Sequence, residues 1–278
     1  MKLGIIDTGG GMRGVYSAGI LDFCLKNNLS FDYHIGVSAG AANFASFLAG
    51  QEKRNYKFYH DYSFRKDYMG LGQLVKSGSF LNLQYIYGTL SNEDGENPLN
   101  FKKMMDNPGE FKVVATNALT GRSEYFSKED FTPDSYREFM ASSCLPGIDK
   151  PVFINGIPYF DGGISDPVPI GKAITDGCTS YILILSKPIT HQKSSARNNF
   201  IAKSIRSKYP KAAADIYRRA DAYNRDVKTA LCHQKEGIAL VLAPDDITGV
   251  DTLKRSRDAI DDLYKKGLKD GEKILSWL

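Results

Sequence analysis

An α/β domain on a mostly parallel sheet, with helices on both faces, is the fold this sequence predicts, and three observations predict it. Short apolar runs suited to buried parallel strands alternate with stretches of helical spacing, beginning with Leu3 to Ile6 and then Val15, Ala18, Leu21, Cys24 and Leu25. Two glycine-rich turns, Gly9-Gly10-Gly11-Met12-Arg13-Gly14 and Gly36-Val37-Ser38-Ala39-Gly40, stand where a strand gives way to a helix. The 278 residues, 42% hydrophobic and 24% charged, are enough for one large α/β core in an ordinary soluble globular protein.

Each element has a local reason. Leu3 to Ile6 is the first strand, the glycine loop follows at once, and Asn27-Asn28 stop the first helix. Phe31 to Val37 is a second strand ending at Ser38, and Ala41 to Ala49 is a small-residue helix able to pack close to a sheet. Residues from about 51 to 109 read as an amphipathic insertion rich in aromatics, among them Tyr56, Phe58, Tyr59 and Tyr62; folded over Ser38, those rings would line an apolar pocket. Phe111 to Thr116 is again a strand, and a turn through Gly121 leads to the extended run Ser123 to Phe126. Val152 to Ile154, Asn155-Gly156 and Ile157 to Phe160 form a hairpin on a type I′ turn, with Pro158 making the returning strand short or an edge. That strand delivers Asp161-Gly162-Gly163. A helix from about Pro169 to Thr175 is ended by Gly177 and precedes the buried strand Tyr181 to Leu185. The pattern is helical from Ser194 to about Leu231, Ile238 to Leu242 is the last strand, and Thr252 to Leu278 is a terminal helical region broken near Gly267 and Gly271. No repeat or linker divides the chain, so one domain over residues 1–278 is expected, with the insertion at about 51–109 and a basic, mainly helical part at about 190–278.

Composition narrows the function classes. The N-terminus reaches Asp7 before any signal-like apolar stretch develops, and no run approaches the roughly 20 apolar residues that span a bilayer. A soluble, cytoplasmic protein is expected. Cys24, Cys144, Cys178 and Cys232 lack metal-site or disulfide-framework spacing, so no metal is expected. The net charge of +4 is mild, and no nucleic-acid partner is expected; oligomeric state is not legible. From His191 to Lys235, however, Lys193, Arg197, Lys203, Arg206, Lys208, Lys211, Arg218, Arg219, Arg225, Lys228 and Lys235 face only Asp215, Asp221 and Asp226. Such a stretch is either a solvated helix face or a peripheral docking surface for anionic lipid headgroups.

The chemistry is concentrated in the turns. A strand-to-helix turn between Gly36 and Gly40 presents Ser38 in a strained position, at a helix N-terminus that favours developing negative charge. Acyl transfer needs a nucleophile, a base and oxyanion donors, and Ser38, Asp161 and the backbone N–H groups of Gly9-Gly10-Gly11 are candidates for each. A triad would use a histidine, but none of His34, His60, His191 and His233 has a supporting motif. A Ser38–Asp161 dyad needs fewer assumptions.

These residues carry a resemblance. Gly9 to Gly14, then Gly36-Val37-Ser38-Ala39-Gly40, then Asp161-Gly162-Gly163 resemble the three-part signature of the patatin-like phospholipases, in the family's order. Ala141-Ser142-Ser143-Cys144-Leu145-Pro146 is similar to the family's Ala-Ser-x-x-x-Pro stretch, and Asp161 to Pro169 is similar to its Asp-Gly-Gly-x-x-Asp-x-x-Pro run. The resemblance spans residues 1 to about 190 and implies a three-layer α/β/α sandwich, a Ser–Asp dyad without metal or cofactor, and lipid acyl hydrolysis. It implies acylation of Ser38, Asp161 as general base, and oxyanion N–H groups from Gly10 and Gly11. Gly9 and Gly14 would shape that loop and Arg13 would support it electrostatically, with Met12 part of the same oxyanion-hole segment. Where many members have an acid directly before the glycines, this chain has Thr8, with Asp7 one position earlier.

Two rivals use the same residues. Gly9, Gly11 and Gly14 also satisfy the G-x-G-x-x-G of a dinucleotide-binding loop, which expects an acid at the end of the second strand where this chain has Ser38. A non-catalytic lipid-binding protein on the same fold would have no need of both Ser38 and Asp161.

Overall fold

The computed structural model describes residues 1–194 and 196–278, with the side chains of 196–198, and so Arg197 of the basic stretch, outside the described part. The first half runs β1 (Leu3–Asp7), α1 (Val15–Lys26), β2 (Tyr33–Val37) and α2 (Ala39–Leu48). The insertion follows as α3 (Arg54–His60), α4 (Leu71–Ser77) and α5 (Phe101–Asp106). Then come β3 (Glu110–Asn117), β4 (Ser123–Ser127), α6 (Arg137–Ser143), β5 (Val152–Ile154), β6 (Ile157–Asp161), α7 (Ile170–Thr175) and β7 (Ser180–Ile184). The last part is α8 (Ala196–Ile205), α9 (Pro210–Lys235), β8 (Ala239–Leu242) and α10 (Arg257–Trp277).

Strands β3, β2, β1, β7 and β8 run parallel, and β4, β5 and β6 join antiparallel, giving one mixed sheet. Alternate residues of the parallel strands bury on opposite faces, as expected when both faces are covered. Ile5, Val113, Ile182 and Ile184 pack with α1, α2 and α10. Ile6, Val114, Tyr181 and Leu183 pack with α7 and α9. The result is the three-layer sandwich that the alternation of elements predicts.

One edge of β3 serves two strands in turn. β2 pairs with residues 110–114 of β3, the last pair being Val37 with Val114, and β6 pairs with 115–117, its terminal pair being Asp161 with Ala115. β4 pairs with 112–116, overlapping both, and therefore occupies the opposite edge. Running antiparallel, β6 ends where β2 ends, so the residues after Val37 and the side chain of Asp161 emerge together.

Asp7, the last residue of β1, is fully buried and ties three elements to this corner. Its Oδ1 accepts from the Gly9 N–H at 2.9 Å and the Ser17 hydroxyl at 3.0 Å, and its Oδ2 accepts from Asn43 Nδ2 at 3.0 Å. The same Asn43 amide donates to the Gly14 carbonyl at 3.0 Å and its Oδ1 accepts from the Tyr59 hydroxyl at 3.0 Å. The glycine loop, α1, α2 and α3 thus share one buried polar hub.

One sequence expectation needs correction and two gain detail. The terminal helix is not broken at Gly267 and Gly271: α10 is continuous, and Gly267 is where it crosses α1. A Cβ on Gly267 would lie 2.1 Å from the Tyr16 carbonyl, and one on Gly19 2.2 Å from the Tyr264 carbonyl, so the crossing needs both bare backbones. The helical stretch after Ser194 is two helices, with Pro210 opening α9 as an N-terminal proline can. Finally, of the two alternatives that Pro158 allows, β6 is the short strand and not the edge, which is β5; its ladder pairs with β3 begin at Tyr159, and the Pro158 carbonyl accepts from the Ala118 N–H at 2.9 Å, so no donor is asked of the proline.

Gly267→Val should destabilise the fold by about 2 kcal/mol through overpacking, read as a lower urea midpoint at unchanged m. Burial raises the Asp7 pKa from 3.8 to about 6, against the three hydrogen bonds that favour its charge. Below about pH 4 that group costs the fold nothing, and as pH rises through 6 the folded state must hold a buried carboxylate the unfolded chain solvates freely. Asp7→Asn lacks this dependence, so its stability relative to the natural chain should improve by ~3 kcal/mol between pH 4 and pH 7. Parallel urea midpoints for the two proteins across that window would contradict it.

Candidate active site

Ser38 lies one residue past β2 with φ 57° and ψ −129°, a backbone state that costs a residue with a side chain on the order of 1–3 kcal/mol. Two hydrogen bonds hold it there. Its N–H donates to Ser142 Oγ at 2.8 Å, and its carbonyl accepts from the Ala41 N–H at 3.0 Å. Gly36 sits opposite Asp7 in the sheet, Val37 ends the pairing with β3, and Ala39 and Gly40 open α2. Ser38 therefore projects from the start of a helix whose first N–H groups lack intrahelical acceptors.

Asp161 ends β6 and is 4% exposed. Its Oδ1 accepts from the Gly163 N–H at 2.8 Å as Gly162 and Gly163 begin a single 3₁₀ turn. Its backbone carbonyl accepts from the Thr116 hydroxyl at 2.8 Å, which fixes the strand end. Burial raises its pKa above the ordinary carboxylate range; Arg219, the Ser38 hydroxyl beside it, the Gly163 N–H and Lys193 each work against that rise.

The glycine loop divides its donors. Gly9, Gly10 and Gly11 have φ of 61°, 128° and 61°, which only glycine adopts in succession without strain. The Gly9 N–H is taken by Asp7 and the Met12 N–H donates to the Thr252 carbonyl at 3.1 Å. The Gly10 and Gly11 N–H groups have no protein acceptor among the described residues. Arg13, buried, lies beside Gly10 in the wall of the smaller cavity, where it pairs with Asp251 and donates to Thr252 Oγ1 at 3.1 Å. Gly14 is held through its carbonyl by Asn43.

Two cavities meet at Ser38, sharing Gly11, Leu145 and Thr252 as common walls. The larger, about 910 Å³ of empty space with its mouth included, is apolar and lined by Met12, Phe58, Tyr59, Leu83, Ile86 and Phe139, among others. The aromatic insertion thus folds over Ser38. The smaller, about 500 Å³, holds Asp161 together with Lys187, Lys193 and Arg219. Lys193 lies 3.6 Å from the centre of the Tyr223 ring, and burial followed by the neighbouring cations Arg219, Lys187 and Arg13 pulls its pKa well down.

The histidines lie elsewhere. His34 is buried in the core with its pKa lowered to about 4 by burial, His233 bonds the Tyr181 hydroxyl at 2.8 Å, His60 bonds Asp61 at 2.7 Å, and His191 bonds Lys187 at 2.9 Å. Neither cavity has a histidine in its wall. Sequence reasoning did not assign Ser142, Thr252, Lys193 or Arg219 to the site. Ser142 was within reach as part of the Ala141 to Pro146 motif, but the others arrive from far along the chain without a local signal.

Residues 209–278 match a domain of unknown function, DUF6363. The uncharacterized protein YjjU of Escherichia coli (strain K12) is 27% identical over 191 residues, 67% of this chain and 52% of that protein, so the chain spans about half the length of this curated relative. Among solved structures, VipD from Legionella pneumophila matches 99% of this chain and 67% of its own, with a TM-score of 0.52 and 12% identity, a likeness of fold. Residues 8–174, more than half of the chain and inclusive of Ser38 and Asp161, match the family described as Patatin-like phospholipase, and the chain belongs to that family.

Proposed function

We propose that the protein hydrolyses acyl esters of lipids, with Ser38 as nucleophile and Asp161 as its general base. The observation that carries this reading is the meeting of Ser38, Asp161 and the unengaged Gly10 and Gly11 N–H groups where an apolar cavity joins a basic one. The Ser38 hydroxyl passes its proton to the Asp161 carboxylate as Oγ attacks the ester carbonyl carbon. The resulting oxyanion accepts from the Gly10 and Gly11 N–H groups. The carbon–oxygen bond to the alcohol then breaks, and the alcohol leaves with the proton from Asp161. Water attacks the acyl-Ser38 ester, gives its proton to Asp161, and releases the acid as Ser38 is reprotonated. A raised Asp161 pKa makes it a stronger base than an exposed aspartate.

The two cavities suit the two halves of such a substrate. The apolar one accepts the acyl chain, and Arg219 gives the other the charge to seat an alcohol bearing an anionic group such as a phosphodiester, with Lys193 beside it as a hydrogen-bond donor. Peripheral contact with an anionic membrane belongs to the same proposal: α8, the turn after it and the start of α9 expose Phe200, Lys203, Arg206, Lys208 and Lys211. Among the described residues no helix is long and apolar enough to cross a membrane.

A fluorophosphonate probe should label the folded natural chain and not Ser38→Ala; an unlabelled, folded natural chain would overturn the nucleophile. Asp161→Asn should lower kcat/KM on p-nitrophenyl esters by at least ~10³-fold, as should Ser38→Ala. Near-normal turnover in Asp161→Asn would assign the base elsewhere. Because Asp161 must be ionised, activity should fall as pH drops through a value above 3.8. In sedimentation with liposomes, binding should require anionic lipid and weaken with salt. Equal binding to neutral vesicles would refute electrostatic docking.

A further inference from the structure

The apolar cavity contains a buried charge with no counter-ion among the described residues. Arg54, on α3, is 9% exposed and lines the cavity that opens on Ser38. Its Nη1 donates to Ser46 Oγ at 3.0 Å, and its Nη2 donates to Ser91 Oγ at 2.9 Å and to the Asn97 carbonyl at 3.0 Å. The guanidinium stands 4.7 Å from the centre of the Phe58 ring. Its buried Nε has no hydrogen-bond partner among the described residues, and the ionisable groups that act on it are the phenols of Tyr136, Tyr62 and Tyr87 rather than any carboxylate. Burial pulls its pKa down to about 10, which leaves it a cation at neutral pH.

Neutral acceptors satisfy N–H groups without cancelling charge, and an uncompensated buried cation is costly. A bracket joining α2, α3 and the 91–97 segment needs hydrogen-bond donors, not a net charge. The missing partner is therefore sought in the cavity itself, as an anion on the bound molecule.

The fold supplies a ruler for that molecule. The cavity follows one face of α2, where Ser38, Ala39, Ala42, Asn43 and Ala45 line it. Ser46, which holds the Arg54 guanidinium, lies eight residues beyond Ser38, or about 12 Å along the helix axis. An extended alkyl chain advances ~1.25 Å per carbon–carbon bond and covers that distance in about ten bonds. The alanines leave room for it along the helix.

We infer that the cavity selects an acyl chain of about ten carbons whose far end carries a carboxylate, seated on Arg54 while the ester lies at Ser38. This rests on the hydrolase reading above and adds the chain's length and terminal charge to it.

The test is steady-state hydrolysis by the full chain of four p-nitrophenyl esters: decanoate, hexanoate, and the monoesters of decanedioate and hexanedioate. The decanedioate monoester should exceed decanoate at least tenfold in kcat/KM, whereas hexanedioate, too short to reach Arg54, should gain nothing over hexanoate. Arg54→Met should invert the ten-carbon preference, lowering turnover of the diacid monoester and raising that of decanoate. Decanoate cleaved as fast as the decanedioate monoester by the natural chain would overturn the inference and leave the hydrolase reading intact. Failure of all four esters together with absent fluorophosphonate labelling would overturn both. If Arg54→Met does not fold, the two ratios on the natural chain decide the matter.

Discussion

The site depends on one edge of β3. Val114 is the last residue to pair with β2 and Ala115 pairs with the end of β6, so one step along a single strand exchanges the strand that carries Ser38 for the strand that carries Asp161. The exchange works because β6 runs antiparallel to β3 while β2 runs parallel, bringing both strand ends to the same point. A slip of one residue in either pairing would also turn the side chains to the other face of the sheet. Burial of Val37, Val114 and Phe160 on defined faces opposes such a slip. The precision of the corner is thus a property of sheet register, and the strained backbone of Ser38 is tolerated because register, Ser142 and α2 over-determine it.

What was legible in the sequence was local. The Asn155-Gly156 turn, the glycine loop and the Ser38 turn follow from backbone conformations that few residues can adopt, and all are found with positive φ at the expected positions. Gly267 and Gly271 misled for the complementary reason. Glycine weakens a helix by about 1 kcal/mol, but close contact between α1 and α10 outweighs that penalty, and no local pattern reveals a partner more than 200 residues away. Pro158 pointed to a strand that is short or at an edge, and the choice between the two is made by β3, which pairs with β6 only beyond the proline. The aromatic insertion was visible as composition, yet which of its rings face Ser38 is decided by how α3 stands on α2. Lys193 and Arg219 were visible as members of a basic stretch and not as walls of a cavity, since Arg219 is turned inward by α9 packing on the sheet and Lys193, before α8, is held to α9 by Asn224 and Tyr223.

Buried charge is managed differently at each point of this corner. Asp7 is satisfied by three donors and still carries the cost of desolvation. Asp161 has cations nearby and a buried setting that opposes them, leaving its proton affinity raised. Arg54 has acceptors but, among the described residues, no opposite charge. Polar networks of this kind hold a geometry, and they tolerate little rearrangement because each lost partner strands a desolvated group.

The glycine loop is held from both ends of the chain. Asp7, Ser17 and Asn43 grip it from the N-terminal half, while Thr252 takes the Met12 N–H and Asp251 and Thr252 take Arg13. The latter two residues fall in the segment that matches a second family, whose terminal helix is also clamped on α1. The two family matches, 8–174 and 209–278, are therefore not two separate structural units. Recombination that joined the first segment to a foreign C-terminal half would inherit Ser38 and Asp161 intact and still lose the shape of the loop between them, so the two segments are heritable as a working unit only together.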